Sequence, residues 1–426
     1  MERRTFVLAG GAAAAMQALG ANDRVKIAVV GVGGRGTGHA REYAGLPNAR
    51  VAAVCDVNQA QTERVSVMVE KIQGVKPREF QDMRKLFEDK EIDAVSIATP
   101  NHWHALAAIW ACQAGKDVYV EKPASYNMFE SQKMMEAARK YNRIVQVGHQ
   151  SRTITHKRRA IELLQQGAIG KVYLAKGVCF KRRPSIGKAA DEPAPAGVDW
   201  DLFLGPAPKR AFNKLRFRYN WHWFWDTGNG DIGNQGVHEM DIARWGLGRV
   251  LPSAVVSTGG KYVYDDDQET PNTQIATFDY GDATLMFEVR GLTTGGEASI
   301  QFGGGNYVGN IFLGEKGYMS VDGAGFQIFL GDKREPGEQM KAERGGDTGG
   351  HMSNFIAAIK SRKYQDLHCD IAVAGPSADL VHMANISYRL KRRLQFDPVG
   401  KKFAGDSEAN AMMTRPRYRA PYMIKV

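Results

Sequence analysis

"VKIAVVGVGGRGTGHA", residues 25–40, decides the fold. An apolar, β-branched run from Val25 to Val30 stops at Gly31, and a helical pattern takes over through Tyr43. Between them lie Gly31, Gly33, Gly34 and Gly36, with Arg35 among them, in the spacing G-x-G-x-x-G. A strand that turns on glycines into a helix aims the unpaired N–H groups of the helix start at one point. The glycines allow a tight turn and close backbone approach, so that point suits a pyrophosphate. Asp56 follows about twenty residues later, at the end of a second apolar run, "ARVAAVCD" (49–56). A carboxylate there binds ribose hydroxyls and repels a 2′-phosphate, which predicts NAD over NADP. Asn58 and Gln59 nearby do not add to that exclusion by charge.

Working outward, "IDAVSIATP" (92–100), "DVYVEKP" (117–123) and "RIVQVGHQ" (143–150) read as further strands, each separated from the next by a helical segment. Alternating strands and helices define an α/β fold, here a doubly wound Rossmann domain over residues 23–150. Beyond it the text changes. A helix ("HKRRAIELLQQGAIG") and a strand ("KVYLAKGVCF") lead into an irregular, Pro-rich stretch, 184–208. Alternating strands follow, such as "TQIATFDYGDATLMFEVRG" and "IFLGEKGYMSVDGAGFQIFLGD". These predict an α+β domain over 151–393 with a large, open, mostly antiparallel sheet and late helices in 350–393. The tail 394–426 reads as irregular.

A chain of 426 residues exceeds one typical core and fits two domains. It is 43% hydrophobic and 24% charged, the balance of an ordinary globular protein. The formal net charge of +11 comes with basic runs at 156–159, 181–183 and 209–218. No zinc-finger, RRM or helix-turn-helix pattern accompanies them, so no nucleic-acid partner is expected, only a general affinity for anions. Cys55, Cys112, Cys179 and Cys369 form no CxxC pair. They read as buried free thiols, with neither a disulfide framework nor a metal site. The first 22 residues, "MERRTFVLAGGAAAAMQALGAN", resemble a twin-arginine export signal: consecutive arginines, a short apolar stretch, then small residues. That implies an exported, periplasmic protein, or a cytoplasmic one if the segment is no signal. The apolar part is too short for a lasting membrane span.

"TPNHWHA" (99–105) and "EKP" (121–123) fall at the C-terminal ends of strands, the edge where open α/β sheets bind ligands. Thr99, Pro100, Asn101, His104 and Glu121 are therefore candidate cofactor contacts. Lys122, placed near the nicotinamide end, is a candidate proton relay if burial lowers its pKa. In "GDIGNQGVHEMDIARW" (230–245), His238 can titrate near neutral pH, and Asn234 lies four residues before it, on the same face of one helix. Asp231 and Glu239 flank this histidine, and Asp241 would orient it or pair with Arg244. Trp223, in the aromatic run "NWHWFWD" (220–226) with His222, is a candidate sugar platform. Arg152, just past the last strand of the first domain, is a candidate substrate contact. His351 and Asn354 open a late helix and cap it or touch the site.

Together, GxGxxG, TPNxxH, EKP and the GxH segment resemble the Gfo/Idh/MocA oxidoreductases, the family of glucose-fructose oxidoreductase and inositol dehydrogenase. The resemblance covers nearly the whole chain after residue 23. It implies a Rossmann domain joined to an open sheet that carries substrate contacts and often dimerises. It places the catalytic lysine at Lys122 and the catalytic histidine at His238. The family's common aspartate falls on Asn234, a departure. The expected activity is NAD-dependent oxidation of a hydroxyl on a sugar, sugar derivative or glycoside, in a homodimer or tetramer. An exported enzyme would hold its nucleotide tightly and regenerate it in place. One alternative is redox-neutral glycoside hydrolysis: oxidation, elimination of the aglycone, hydration and reduction. A second is a nucleotide-binding sensor with an impaired site.

Overall fold

The computed structural model describes residues 24–292, 306–343 and 347–426. The signal-like segment 1–22 lies outside the described residues. The first sheet has six parallel strands: β1 (Val25–Val30), β2 (Ala49–Cys55), β3 (Arg78–Phe80), β4 (Ala94–Ile97), β5 (Asp117–Val120) and β6 (Val145–Val147). Their order is β3-β2-β1-β4-β5-β6. The order reverses between β1 and β4, which opens a crevice at their C-terminal ends. Four strands are nearly continuous apolar runs because helices cover both faces. Those helices include α1 (Arg35–Gly45), α2 (Gln59–Gln73), α3 (Met83–Phe87), α4 (Asn101–Gln113) and α5 (Met128–Lys140). β3 does not stand out in the sequence: three exposed or half-exposed residues carry no period.

The second sheet has ten strands: β7 (Val172–Phe180), β8 (Ala254–Gly260), β9 (Thr273–Asp279), β10 (Thr284–Arg290), β11 (Tyr307–Gly314), β12 (Gly317–Asp322), β13 (Gly325–Leu330), β14 (Glu335–Lys341), β15 (Leu394–Asp397) and β16 (Lys402–Phe403). Its order is β14-β13-β12-β11-β7-β10-β9-β8-β15-β16, and only β7 and β10 pair in parallel. In β9 and β10 every second residue is buried and the rest are half-exposed, so one face carries the core. Among the described residues, the helices of this half are α6 (Thr155–Gln165), α7 (Trp200–Leu204), α8 (Gly230–Asn234), α9 (Gly236–Leu247), α10 (Asp347–Ser361), α11 (Ile371–Leu390) and α12 (Ser407–Ala411).

The two halves share cores. Met352, Phe355 and Ile356 of α10 pack into the cluster that holds Tyr43, Tyr119 and β1. Ile371, Ala374 and Ala378 at the start of α11 join the cluster of β4, β5 and α4. The tail, expected to be irregular, instead adds β15 and β16 to the second sheet and forms α12. It then returns to the first domain, where Tyr422 is 2% exposed and its ring meets Trp103 edge-on at 5.3 Å. Short strands and a five-residue helix, fixed by distant partners, carry too little local pattern to be read. All four cysteines are buried and free. No helix among the described residues is long and apolar enough to cross a membrane.

Candidate active site

A cleft of about 850 Å³ runs from the glycine turn to the start of α9. The turn is built by backbone constraint. Gly31 has φ +82°, and a Cβ there would lie 2.8 Å from Ala98 O and Thr99 N. A Cβ on Gly36 would lie 2.0 Å from Gly31 O, so this glycine locks helix to turn and does not face the cleft. At Gly33 and Gly34 the missing side chains leave open space: nothing lies within 4 Å of a Cβ at Gly34. That space, bare of side chains at a helix start, fits a pyrophosphate. Asp56 closes the turn, its Oδ2 accepting from Val32 N at 2.8 Å and its Oδ1 from Asn58 N at 2.9 Å. Burial raises its pKa, against those backbone N–H bonds. Asn58 is committed elsewhere, as the N-cap of α2. These residues fit the adenosine end of a dinucleotide.

Across the crevice, Thr99 and Pro100 lead into α4, and His104 stands 2.7 Å from the carbonyls of both Thr99 and Pro123. It ties the two strand ends together beneath the cleft. Asn101 donates to Asn229 Oδ1 at 2.9 Å, linking the halves. Glu121 lines the cleft, but its carboxylate is consumed from within. It accepts from Arg35 Nε at 3.0 Å, His39 Nε2 at 2.9 Å and Gln150 Nε2 at 3.0 Å. Burial pushes its pKa up, yet the bond from His39 and the charge of Arg35 outweigh that and hold it well below the usual carboxylate range. Glu121 is thus a fixed negative charge directly behind Lys122.

Lys122 reaches over the cleft and donates from Nζ to the carbonyl of Asn234 at 2.5 Å. Burial lowers its pKa, and the Glu121 charge offsets part of that. The carbonyl is available because the helix breaks there. His238 N bonds Gln235 O at 3.0 Å, one residue short of its helical partner, which would have been Asn234 O. Glycines at both sides of the break pack tightly: a Cβ on Gly236 would lie 2.4 Å from the Phe287 ring, and one on Gly233 2.5 Å from Asn229 Cβ.

The break corrects the expectation of a single helical face carrying Asn234 and His238. Asn234 lines the cleft, and its amide donates to Tyr219 Oη at 2.9 Å and to Asp231 Oδ1 at 3.2 Å. Asp231 is held by both Nε and Nη2 of Arg183, at 3.0 and 2.7 Å. His238 lines the cleft, and its Nδ1 has no partner among the described residues. Burial lowers its pKa well below the ordinary value, followed by the charge of Lys122, so the ring rests neutral. Behind it, edge-on at 5.5 Å between centroids, lies His149, whose Nδ1 is 3.7 Å from Asp241. Asp241 therefore does not touch His238.

Two expected substrate contacts are not in the cleft. Arg152 is 6% exposed and bonds Asp241 through Nε at 2.7 Å and Nη2 at 2.9 Å. An isolated buried guanidinium is costly, and this pairing fixes it in the core. Trp223 is 3% exposed and faces inward; Trp221 and His222, stacked at 3.6 Å, line the cleft in its place. His351 is also buried, bonding Val147 O at 2.9 Å and Thr153 Oγ1 at 2.7 Å, and Asn354 bonds Asp366 O at 2.8 Å; neither lines the cleft. The sequence reading missed Arg183 and Tyr219, which do line it. Arg183 ends the basic run 181–183 and Tyr219 lies between a basic and an aromatic run, signals that do not say which side faces in.

A glycine-turn dinucleotide fold with a buried lysine at its switch point fits a nicotinamide-type oxidoreductase class. Residues 25–149 match the oxidoreductase family model for an NAD-binding Rossmann fold, and residues 162–286 and 311–424 match that family's C-terminal alpha/beta domain. The chain belongs to the GFO_IDH_MocA oxidoreductase family. Among curated relatives, it is 30% identical over 152 residues to myo-inositol 2-dehydrogenase of Thermotoga maritima, covering 36% of this chain and 44% of that one. It is 26% identical over 154 residues to a Glycosyl hydrolase family 109 protein 1 of a Shewanella species, covering 35% and 34%. The chain thus spans less than half the length of either relative. Two solved structures share the fold. The WlbA dehydrogenase of Bordetella pertussis, in complex with NADH and UDP-GlcNAcA, has TM-score 0.66 and 20% identity over 88% of this chain and 99% of that one. The aldose-aldose oxidoreductase of Caulobacter crescentus, complexed with glycerol, has TM-score 0.66 and 16% identity over 88% and 100%.

Proposed function

We propose that this protein is an NAD-dependent oxidoreductase acting on a hydroxyl of a carbohydrate or carbohydrate derivative. The observation that carries this is a single cleft joining the glycine turn and Asp56 to Lys122 and His238. When bound, NAD would supply a two-electron acceptor for the carbinol carbon. Gly33, Gly34 and the start of α1 would hold its pyrophosphate, and Asp56 its adenosine ribose, which would favour NAD over NADP. Lys122 Nζ, its pKa lowered by burial, takes the proton of the reacting hydroxyl. His238, neutral at rest, receives a hydrogen bond from a neighbouring hydroxyl or accepts a proton. The Asn234 side chain serves the wall itself, binding Tyr219 and Asp231, and does not exchange protons.

A myo-inositol 2-dehydrogenase among the relatives, and a dehydrogenase of the same fold held in complex with NADH and UDP-GlcNAcA, support a carbohydrate substrate. The likeness to a glycosyl hydrolase over 154 residues favours a second reading, redox-neutral glycoside cleavage at the same site. We further take residues 1–22 as an export signal, the nucleotide as tightly held, and the half-exposed face of the second sheet as the contact between subunits. The test is to identify nucleotide released from the purified protein by mass spectrometry, then to follow nicotinamide absorbance across a carbohydrate and glycoside panel. Reduction of the nucleotide by a carbohydrate, lost in Lys122→Ala, is expected. Cleavage of an aryl glycoside with no net reduction would transfer the conclusion to the second reading. Silence across the panel with nucleotide bound would overturn both.

A further inference from the structure

The charges along the cleft are unevenly shared. The carboxylates that line it, Asp56 and Glu121, both belong to the first domain. The second domain contributes Lys181, Arg183 and Arg218, and among the described residues no lining carboxylate. Lys181 and Arg183 follow β7 in extended chain, two residues apart, so both point to one side, while Arg182 between them is exposed. Arg183 is already matched by Asp231. Lys181 and Arg218 have no carboxylate partner among the described residues. Arg218 also sits at φ 51°, in the left-handed region where a non-glycine residue is uncommon, and Tyr219 beside it bonds Asn234 and Arg183. Arg183 and Tyr219 connect this wall directly to Asn234, whose carbonyl receives Lys122. Lys181, half-buried, and Arg218, exposed, thus adjoin the wall that reaches Asn234 through Arg183 and Tyr219.

We infer that the substrate is an anionic carbohydrate, one carrying a carboxylate or a phosphate, and that Lys181 and Arg218 select it. This deepens the carbohydrate reading above and rests on it. A neutral sugar would leave the Lys181 and Arg218 charges paired only with solvent. An oxyanion would gain charge-assisted hydrogen bonds from them. It also sets the sugar's orientation, because the charged group anchors one end and leaves a ring hydroxyl for Lys122 Nζ.

The test uses the full protein loaded with NAD and matched sugars: glucose against glucuronate, galactose against galacturonate, and glucose 6-phosphate. Binding is followed by tryptophan fluorescence, with Trp221 on the cleft wall as a reporter. The acidic member of a pair should bind about tenfold tighter or better. The advantage should shrink as ionic strength rises. A lead for the uronates identifies a carboxylate, and a lead for glucose 6-phosphate a phosphate. The double variant Lys181→Ala/Arg218→Ala should erase the advantage while NAD affinity, titrated separately, stays the same. Equal binding of neutral and acidic sugars overturns the inference, and so does a double variant that loses NAD affinity but keeps the preference. Nucleotide reduction by neutral sugars without any acidic preference sinks this inference alone. An acidic preference with no reduction by any sugar upholds it and sinks the oxidoreductase reading.

Discussion

The glycine turn and the broken helix at Asn234 face each other across one cleft, yet they are built by opposite means. The turn is a backbone device. Its geometry comes from what is missing at Gly31, Gly33, Gly34 and Gly36, and one carboxylate, Asp56, closes it. The opposite wall is a side-chain device. Lys122, Arg183, Tyr219, Asp231 and Asn234 come from four separate segments, and each holds the next. A backbone device tolerates a ligand common to many proteins, whereas a side-chain wall can be re-cut for a particular one. The first half is suited to a shared cofactor, the second to a specific substrate.

Substitutions on each side should break this division in order of size. Lys122→Ala removes the ammonium that donates to Asn234 O, and turnover should fall by about 10³-fold or more with nucleotide affinity retained. Normal turnover in that variant would remove Lys122 from the chemistry. Gly36→Ala forces a Cβ to 2.0 Å from Gly31 O. It should cost about 100-fold in nucleotide affinity, on the order of 3 kcal/mol, because the turn must open; an unchanged dissociation constant would show that the turn is not the nucleotide cradle.

Asn234→Asp sharpens the comparison most. The amide donates to Asp231 Oδ1 at 3.2 Å. A carboxylate in its place would set two like charges together and destabilise the fold by about 1–3 kcal/mol, measured by thermal denaturation. It would also raise the pKa of Lys122. In the native protein that pKa is lowered, so kcat/KM should rise with pH on a limb centred below the free-lysine value of about 10.4. In Asn234→Asp the limb should move to higher pH, and a shift downward would contradict the proposed contact. The smallest effect is expected at Asp56→Ala. Because Asp56 also holds Val32 N, both nucleotides should bind less well, but NAD should lose about tenfold more than NADP. An unchanged ratio would mean that Asp56 is not the ribose ligand.

The same division explains what was legible in the sequence. GxGxxG and Asp56 could be read because strand period, glycine spacing and helix start are local properties of contiguous residues. Lys122 was placed by its position at a strand end. Arg152 and Trp223 were misplaced because residue type alone does not tell an inward arginine from a cleft-facing one. Only the distant Asp241 makes Arg152 a core residue. Trp221 and Trp223 differ by two positions in a short 3₁₀ turn, where neither strand nor helix period says which ring faces the cleft. The break at Gln235 had a visible cause in Gly233 and Gly236, but the Phe287 ring that demands a glycine is fifty-one residues away. Asn234, a departure from the family pattern, becomes intelligible beside Asp231: the amide supplies a donor where a second carboxylate would repel.

The return of the C-terminal tail to the first domain has a consequence for synthesis. Tyr422 packs against Trp103, and Phe355 against Tyr119, so the first domain is sealed by residues made long after its own strands. A nascent chain can form the six-stranded sheet but not finish its covering. Stability of the nucleotide half therefore depends on synthesis reaching Tyr422: a chain truncated before it should expose Trp103 and be cleared by proteolysis, even though every residue of its glycine turn is present.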